Sequence, residues 1–237
     1  MAEGQPTYLY FVCSTHPRVG KTLLARLLIE FQHANERPVL GFDLGSDGPA
    51  LAEFLPEFVT PAAIDDVRSQ IALFEPLARN DGAPKVIDLG QRALAQFFMI
   101  MREVDFAGEA SRRGIKPIIL YVAAPGNESA RGYAILRDQF PSFGIVPVSN
   151  EALLDDADIV SLFPSTIAGM PVLQLPQVPA DLQVDIDQRP CFLIGLHQLG
   201  EEAFPPGVWA ELDDWLRRCF RQMRELDVAL LMDERGG

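Results

Sequence analysis

Gly20, Lys21 and Thr22 are the first consecutive residues of the chain whose types and order suit chemistry. They follow an apolar run at 8–13, which predicts a buried strand. Apolar residues at helical spacing come next, at Leu24, Leu27, Leu28 and Phe31. A Gly-Lys-Thr triplet at a strand-to-helix turn is typical of phosphate-binding loops: backbone N–H groups surround the anion, lysine neutralises the β- and γ-phosphates, and threonine binds Mg²⁺. We therefore expect a phosphate site here.

The loop at 14–20 departs from the usual G-x-x-x-x-G-K-[ST] pattern. Thr15 stands where that pattern has its first glycine, and Pro17 removes one N–H donor. Arg18 lies in the middle of the loop, where its side chain either adds positive charge beside a phosphate or points into solvent. We still expect Thr15, Arg18 and Val19 to surround the phosphates together with the Gly-Lys-Thr triplet.

Two aspartates end predicted strands. Asp88 comes directly after Val86 and Ile87, and a carboxylate at the end of a buried strand is costly unless it has a partner such as Mg²⁺. Asp43 ends the apolar segment 38–43, where it either lies near the metal or caps the following turn. Gly90, two residues after Asp88, either lets the backbone approach a γ-phosphate or is a turn glycine.

Strand and helix patterns alternate along the chain. Strands are predicted at 8–13, 38–43, 85–88, 116–124 and 143–148, and helices after the loop and at 61–79, 92–104 and 128–140. The connections are long enough to carry a helix each, which predicts an α/β fold with a mostly parallel sheet and helices on both faces.

The C-terminal third is less regular. Residues 169–176 allow a further strand, whereas 178–200 show no clean period. A last helix is predicted near 205–232 from one apolar stripe, formed by Val208, Leu212, Trp215, Cys219, Met223 and Leu226. No repeat or long linker divides the sequence, so we expect residues 1–237 to form one domain that includes this extra C-terminal helix.

Composition restricts the possible partners. The 237 residues carry a net charge of −13, which disfavours both a large nucleic-acid footprint and binding to anionic membrane surfaces. The polar face of the last predicted helix mixes acidic with basic residues, so we expect it to pack on the protein body or on a second subunit. Three widely spaced cysteines and the lack of a basic leader segment favour the cytoplasm.

Three segments carry a resemblance to a known family: THPRVGKT, VLGFDLGSDGPAL and KVIDLG. They resemble the ParA/MinD-type P-loop ATPases of the SIMIBI class, and most nearly the TraL-type proteins of conjugative plasmids, over about residues 8–185. The resemblance implies a three-layer P-loop NTPase fold, ATP and Mg²⁺ as cofactors, and a homodimer. It also implies Thr22, Asp43 and Asp88 at the metal, Gly90 at the γ-phosphate and Asn150 at the adenine.

The sequence departs from that family at two catalytic positions. His16 stands where most members have a lysine that reaches the partner's phosphates, and a neutral histidine cannot replace a permanent cation. Gly45 stands where the family has the aspartate that orients the attacking water. Asp47 is the nearest carboxylate that could compensate, so Lys21 and Asp47 are the only candidate catalytic residues, and at most slow Mg²⁺-dependent ATP hydrolysis is expected.

Three functions remain open at this point. The first is an ATP-binding, ParA/MinD-like switch protein with weak or no hydrolysis, a regulatory or plasmid-related genome-handling role and an unidentified protein partner. The second is an interaction module that keeps the fold and has lost the nucleotide, because Pro17 and Arg18 remove a donor and crowd the loop. The third is a small-molecule ligase or kinase similar to dethiobiotin synthetase, although no basic cluster for an anionic second substrate is visible.

Overall fold

The computed structural model describes residues 6–45, 50–155, 158, 162–163 and 172–236, with side chains through residue 232. Its strands are β1 (Thr7–Cys13), β2 (Leu40–Leu44), β3 (Val59–Pro61), β4 (Lys85–Leu89), β5 (Ile115–Val122), β6 (Gly144–Asn150) and β7 (Leu173–Leu175). Its α-helices are α1 (Lys21–Ala34), α2 (Leu51–Phe54), α3 (Val67–Leu77), α4 (Gln91–Glu103), α5 (Phe106–Arg113), α6 (Asn127–Gln139), α7 (Gln183–Gln188), α8 (Leu193–Gln198) and α9 (Val208–Gly236).

The strands form one sheet in the order β3-β2-β4-β1-β5-β6-β7, and every described pair is parallel. Alternate residues of β1 enter the two hydrophobic clusters on opposite faces: Tyr10 and Val12 pack with α1 and α9, and Leu9 and Phe11 pack with α3 to α6. Helices on both faces of a parallel sheet are the predicted three-layer α/β fold. That prediction is confirmed.

The predicted helix at 61–79 is shorter in the structure. Pro61 belongs to β3, and α3 begins only at Val67, because Asp66 caps the helix by accepting from the Ser69 N–H at 2.8 Å. The short helices α2 and α5 were not predicted from the sequence. Within the possible strand at 169–176, the described residues form β7, and 178–200 fold as a 3₁₀ turn (Ala180–Leu182) followed by α7 and α8.

The C-terminal helix α9 packs on the body of the protein. All six residues of the predicted apolar stripe are buried: Val208, Leu212, Trp215, Cys219, Met223 and Leu226. The helix contacts β7, α1 and α8, and the Trp215 indole N–H donates to the Pro176 carbonyl at 3.1 Å. Among the helices of the described residues, none is both long enough and apolar enough to span a membrane.

Candidate functional site

Three neighbouring strands bring the candidate residues together at the carboxyl-terminal end of the sheet. β4 lies between β1 and β2, and Asp88 pairs with Val12 on one side and with Asp43 on the other. The phosphate-type loop leaves β1 at this end. Because all three strands are parallel, their carboxyl ends and the loops that follow converge there, which is the usual place for a ligand in such sheets.

The loop presents an uncapped helix N-terminus. Gly20 precedes α1 with a φ of 97°, and no side chain of the described residues caps the helix, so the first-turn N–H groups stay available to a bound anion. Lys21 is buried, and its Nζ donates to the His16 carbonyl at 2.8 Å, which folds the side chain back across the loop. Residues Pro17 and Arg18 are exposed, so they do not fill the interior of the loop.

Asn150 and Leu175 press against Gly20 from the neighbouring strands β6 and β7. Asn150 Nδ2 donates to the Val19 carbonyl at 3.0 Å, and its Oδ1 accepts from the Ala152 N–H at 3.0 Å. A Cβ on Gly20 would lie 2.9 Å from Asn150 Nδ2 and 2.9 Å from Leu175 Cδ2. The side chain of Asn150 therefore braces the loop; a contact with adenine stays a prediction.

Replacing Gly20 with alanine is expected to destabilise both the loop and the fold. The new methyl group meets two neighbours at 2.9 Å, and a φ of 97° is strained for any residue with a Cβ. We expect a loss of about 1–3 kcal/mol in the free energy of unfolding. Urea denaturation measures it, with Gly82→Ala as the control, because Gly82 also has a positive φ but no atom within 4 Å of its Cβ position. Equal losses in both variants would contradict the close packing around Gly20.

Thr22 and Asp88 form the most unusual part of the site. Thr22 Oγ1 donates to Asp88 Oδ2 at 2.7 Å, whereas the buried Oδ1 of Asp88 has no hydrogen-bond partner in the described structure. Burial, together with a smaller effect of the Asp43 charge, raises the pKa of Asp88 to about 6, although the Thr22 hydrogen bond and Lys21 oppose the shift. An unpartnered buried carboxylate oxygen beside a threonine hydroxyl fits a hard cation such as Mg²⁺.

Asp43 closes a turn. Its Oδ1 accepts from the Gly45 N–H at 2.7 Å and its Oδ2 from the Ala52 N–H at 2.9 Å, so both oxygens hold backbone. This geometry matches the capping alternative and leaves a metal role for Asp43 as a prediction. Gly45 offers no side chain at this point, and Asp47 lies outside the described residues. No cluster of three or more histidine, cysteine or acidic residues suited to a metal occurs in the described part of the chain, so a cation here would also need ligands from a bound phosphate.

A cavity of about 660 Å³ opens beside the loop. Eight of the predicted site residues line it: Arg18, Gly20, Lys21, Thr22, Asp43, Asp88, Gly90 and Asn150. Thr15 and Val19 are not among the lining residues. The hydroxyl of Thr15 is hydrogen-bonded to Tyr121 at 3.0 Å and to His16 Nδ1 at 3.0 Å, so it supports the start of the loop from behind. His16 also lies 3.7 Å from the Glu128 carboxylate.

Two residues that the sequence reasoning missed, Gln91 and Arg26, also line this cavity. Gln91 follows Gly90 at the start of α4, and its Nε2 donates to the Thr15 carbonyl at 2.7 Å. A glutamine directly after the predicted metal-site segment 88–90 was the available sequence signal. Arg26 interrupts the apolar residues of α1, and a charged residue within an apolar helix face was a signal that it has a buried partner.

Arg26 joins α1 to the segment around α7, which also lines the cavity. Its guanidinium donates to the Ile186 carbonyl at 2.8 Å and to the Cys191 carbonyl, lies 4.6 Å from the centre of the Phe54 ring, and pairs with Glu30 at 3.3 Å. The carboxylate of Glu30 in turn accepts from two N–H groups at the start of α8, those of Leu193 and Ile194. Burial lowers the pKa of Arg26 and raises that of Glu30, while their mutual attraction opposes both shifts.

The sequence matches no protein-family model and no curated protein. The structure is similar to the MinC:MinD cell division protein complex of Aquifex aeolicus, with a TM-score of 0.55 and 15% sequence identity. The match covers 92% of this chain and 96% of that chain. The two chains share a fold. That fold agrees with the predicted ParA/MinD-type architecture, and identity this low shows the architecture alone.

Proposed function

We propose that this chain binds ATP together with Mg²⁺ and acts as a ParA/MinD-like switch, with weak or no hydrolysis. The observation that carries the proposal is the unpartnered Oδ1 of Asp88 beside Thr22, at an uncapped helix N-terminus with a buried lysine. A buried acceptor without a partner costs stability in the ligand-free protein. A cation bound to this oxygen would remove that cost, which explains why the unpartnered acceptor occurs beside the cavity.

Each residue of the site has a distinct task in this proposal. The N–H groups of the first turn of α1 donate to the phosphate oxygens, and Lys21 Nζ moves from the His16 carbonyl to the β- and γ-phosphates. Thr22 and Asp88 would hold the cation, and Asp43 lies beside Asp88 on the neighbouring strand. Mg²⁺ supplies neutralisation of the phosphate charge when it is bound. Gly90 would let the backbone approach the γ-phosphate closely, and Asn150 would contact the adenine base.

Slow turnover follows from the same residues. Phosphoryl transfer depends on positioning a nucleophile and on stabilising charge, and Gly45 provides no group for the first task. His16, at the position of the family's lysine, is hydrogen-bonded to Thr15 and lies 3.7 Å from Glu128, so its side chain contacts groups of its own chain. We therefore propose a protein whose nucleotide state, and not its rate of hydrolysis, controls its interactions.

The fold supports a partner-dependent role. MinD is named with MinC in the similar complex, and a homodimer or a complex with a second protein is our proposal for this chain, which we take to be one cytoplasmic domain. The TraL-type resemblance extends the proposal to plasmid transfer or a related genome-handling process. Because Pro17 and Arg18 are exposed and a cavity stands open beside the loop, the structure gives less support to a fold that has lost its nucleotide.

Replacing Lys21 with alanine tests the proposal directly. We expect calorimetry with the non-hydrolysable analogue AMP-PNP and Mg²⁺ to show saturable binding by the wild type, weakened about 10- to 100-fold in Lys21→Ala by the loss of a charge-assisted contact. Removal of Mg²⁺ with EDTA should weaken the wild type as well. Lys116→Ala, at an exposed lysine on β5, is the control and should bind like the wild type. Absence of wild-type binding would overturn the proposed function.

A further inference from the structure

We propose that Gln91 is the catalytic residue that orients the attacking water in this chain, in place of the missing carboxylate at position 45. The inference rests on the proposed function, because it assigns the slow hydrolysis of that same site to a particular side chain. It goes beyond the family resemblance, which placed the water-orienting group on the loop after β2 and left Lys21 and Asp47 as the only candidates.

The position of Gln91 carries the inference. It is the first residue of α4, three residues after Asp88 and next to Gly90, so its backbone is fixed by the end of β4. The exposed side chain lines the same cavity as Lys21 and Thr22. Its amide therefore lies at the edge of the cavity where the γ-phosphate of a bound nucleotide is expected.

The hydrogen bonding of Gln91 leaves its side-chain oxygen free to accept from a water molecule. Nε2 donates to the Thr15 carbonyl at 2.7 Å, which fixes the amide against the loop. Oε1 has no hydrogen-bond partner in the part of the chain that the structure describes, so it can accept from a water molecule. An amide oxygen held in this way orients a water without taking its proton, and this is the role that glutamine has in other phosphoryl-transfer sites.

The acceptor side chains of Asp43, Asp88 and Asn150, which line the cavity beside the loop, already have other roles. Both oxygens of Asp43 accept from backbone N–H groups, and one oxygen of Asp88 accepts from Thr22 while the other is proposed for the cation. Asn150 uses both ends of its amide on the loop and on Ala152. Gln91 is thus the cavity-lining amide beside Gly90 that keeps a free acceptor among the described residues.

The reaction assigned to the site is hydrolysis of the bond between the β- and γ-phosphates. The oxygen of the oriented water forms a bond to the γ-phosphorus. The bond from that phosphorus to the bridging oxygen breaks, and its electron pair stays on the nucleoside diphosphate. One proton of the water passes to an oxygen of the departing phosphate, since a neutral amide cannot hold it. The products are a nucleoside diphosphate and inorganic phosphate.

The test compares wild type with Gln91→Met, which keeps the length of the side chain and removes the amide. AMP-PNP has no transition-state geometry, whereas ADP with aluminium fluoride resembles the transition state and includes the attacking water. We expect Gln91→Met to bind AMP-PNP with Mg²⁺ within about threefold of wild type, and to lose at least about tenfold in both turnover and affinity for ADP with aluminium fluoride. Gln139→Met, at an exposed glutamine that does not line this cavity, should match the wild type in all three measurements.

Each other outcome has a definite meaning. If wild type binds AMP-PNP but neither hydrolyses ATP nor binds the aluminium fluoride complex, the role of Gln91 is overturned and the proposed function stands. If Gln91→Met weakens AMP-PNP and the aluminium fluoride complex equally, Gln91 only braces Thr15 and the inference is wrong. If Gln91→Met equals wild type throughout, another group orients the water. If wild type binds no nucleotide, the proposed function itself fails.

Discussion

Replacing Asp88 with asparagine is expected to stabilise the ligand-free protein while abolishing its Mg²⁺-dependent binding of nucleotide. Among the described residues, one oxygen of the buried carboxylate has no hydrogen-bond partner, and burial raises the pKa of Asp88 to about 6. Asparagine keeps an oxygen that can accept from Thr22 and carries no charge. The variant therefore removes the cost of a buried charge and, with it, the ligand that a cation would need.

The pH dependence of this gain follows from the direction of the shift. Between the ordinary pKa of 3.8 and a folded pKa of about 6, the folded state holds a proton that the unfolded state has released, so the wild type loses stability as pH rises through this window. Two pKa units correspond to a free energy of unfolding on the order of 3 kcal/mol. The advantage of Asp88→Asn should be complete above pH 7 and vanish below about pH 4.

Urea denaturation in EDTA at pH 7.5 and pH 4 measures this difference, and calorimetry with AMP-PNP and Mg²⁺ measures the loss of binding. Asp43→Asn is the matched control, since Asp43 pairs with Asp88 in the sheet but accepts two backbone N–H bonds. Asparagine keeps only one acceptor oxygen, so one of these two N–H groups loses its acceptor, and Asp43→Asn should lose about 1–3 kcal/mol. A loss of the same size in Asp88→Asn at pH 7.5 would show that the Asp88 carboxylate is a structural group.

The predictable part of this molecule is the part that depends on local pattern. Alternating apolar strands and helices, with a Gly-Lys-Thr triplet at the first turn, predicted the parallel three-layer fold. The strand-end carboxylates also lie together at the sheet edge, because parallel strands bring their carboxyl ends to one side. In contrast, α2 and β3 are too short to give a period, and the pattern at 61–79 predicts too long a helix because it does not register the N-cap at Asp66.

Other features depend on contacts between residues far apart in the sequence. Nothing near Asn150 indicates that its amide holds the Val19 carbonyl, 131 residues away. The segment 178–200 has no clean period because its helices are short: each buries only one or two apolar residues, and polar contacts with α1 also hold them. Its conformation follows from Arg26 and Glu30, whose partners there are more than 150 residues distant in the chain.

Replacing Arg26 with methionine is the second change with a large expected effect. Arg26 and Glu30 are both buried, and removal of the guanidinium leaves a carboxylate buried without its opposite charge. Breaking a buried ion pair from one side costs about 3–5 kcal/mol. The Ile186 and Cys191 carbonyls also lose their donor, which loosens the segment around α7 that lines the cavity.

Four proteins separate these contributions by urea denaturation: wild type, Arg26→Met, Glu30→Met and the double variant. Because each single change leaves one charge uncompensated, the double variant should lose less stability than the sum of the two, with a coupling of about 1–3 kcal/mol. The exposed pair Arg37–Asp227, at 2.7 Å, provides the control, and Arg37→Met should cost under about 1 kcal/mol. If the losses in the free energy of unfolding were additive, Arg26 and Glu30 would not act as a charge pair. Each would then contribute only through its own hydrogen bonds.

The same variants connect stability to the cavity. AMP-PNP affinity measured at low temperature, where Arg26→Met is still folded, should fall with Arg26→Met and remain unchanged with Arg37→Met. The reason is that Arg26 holds the segment containing Ile186, and residues on both sides of Ile186 line the cavity together with the phosphate loop. Unchanged affinity in folded Arg26→Met would mean that the nucleotide contacts only the loop side of the cavity. In that case α7 and α8 serve the fold and not the ligand.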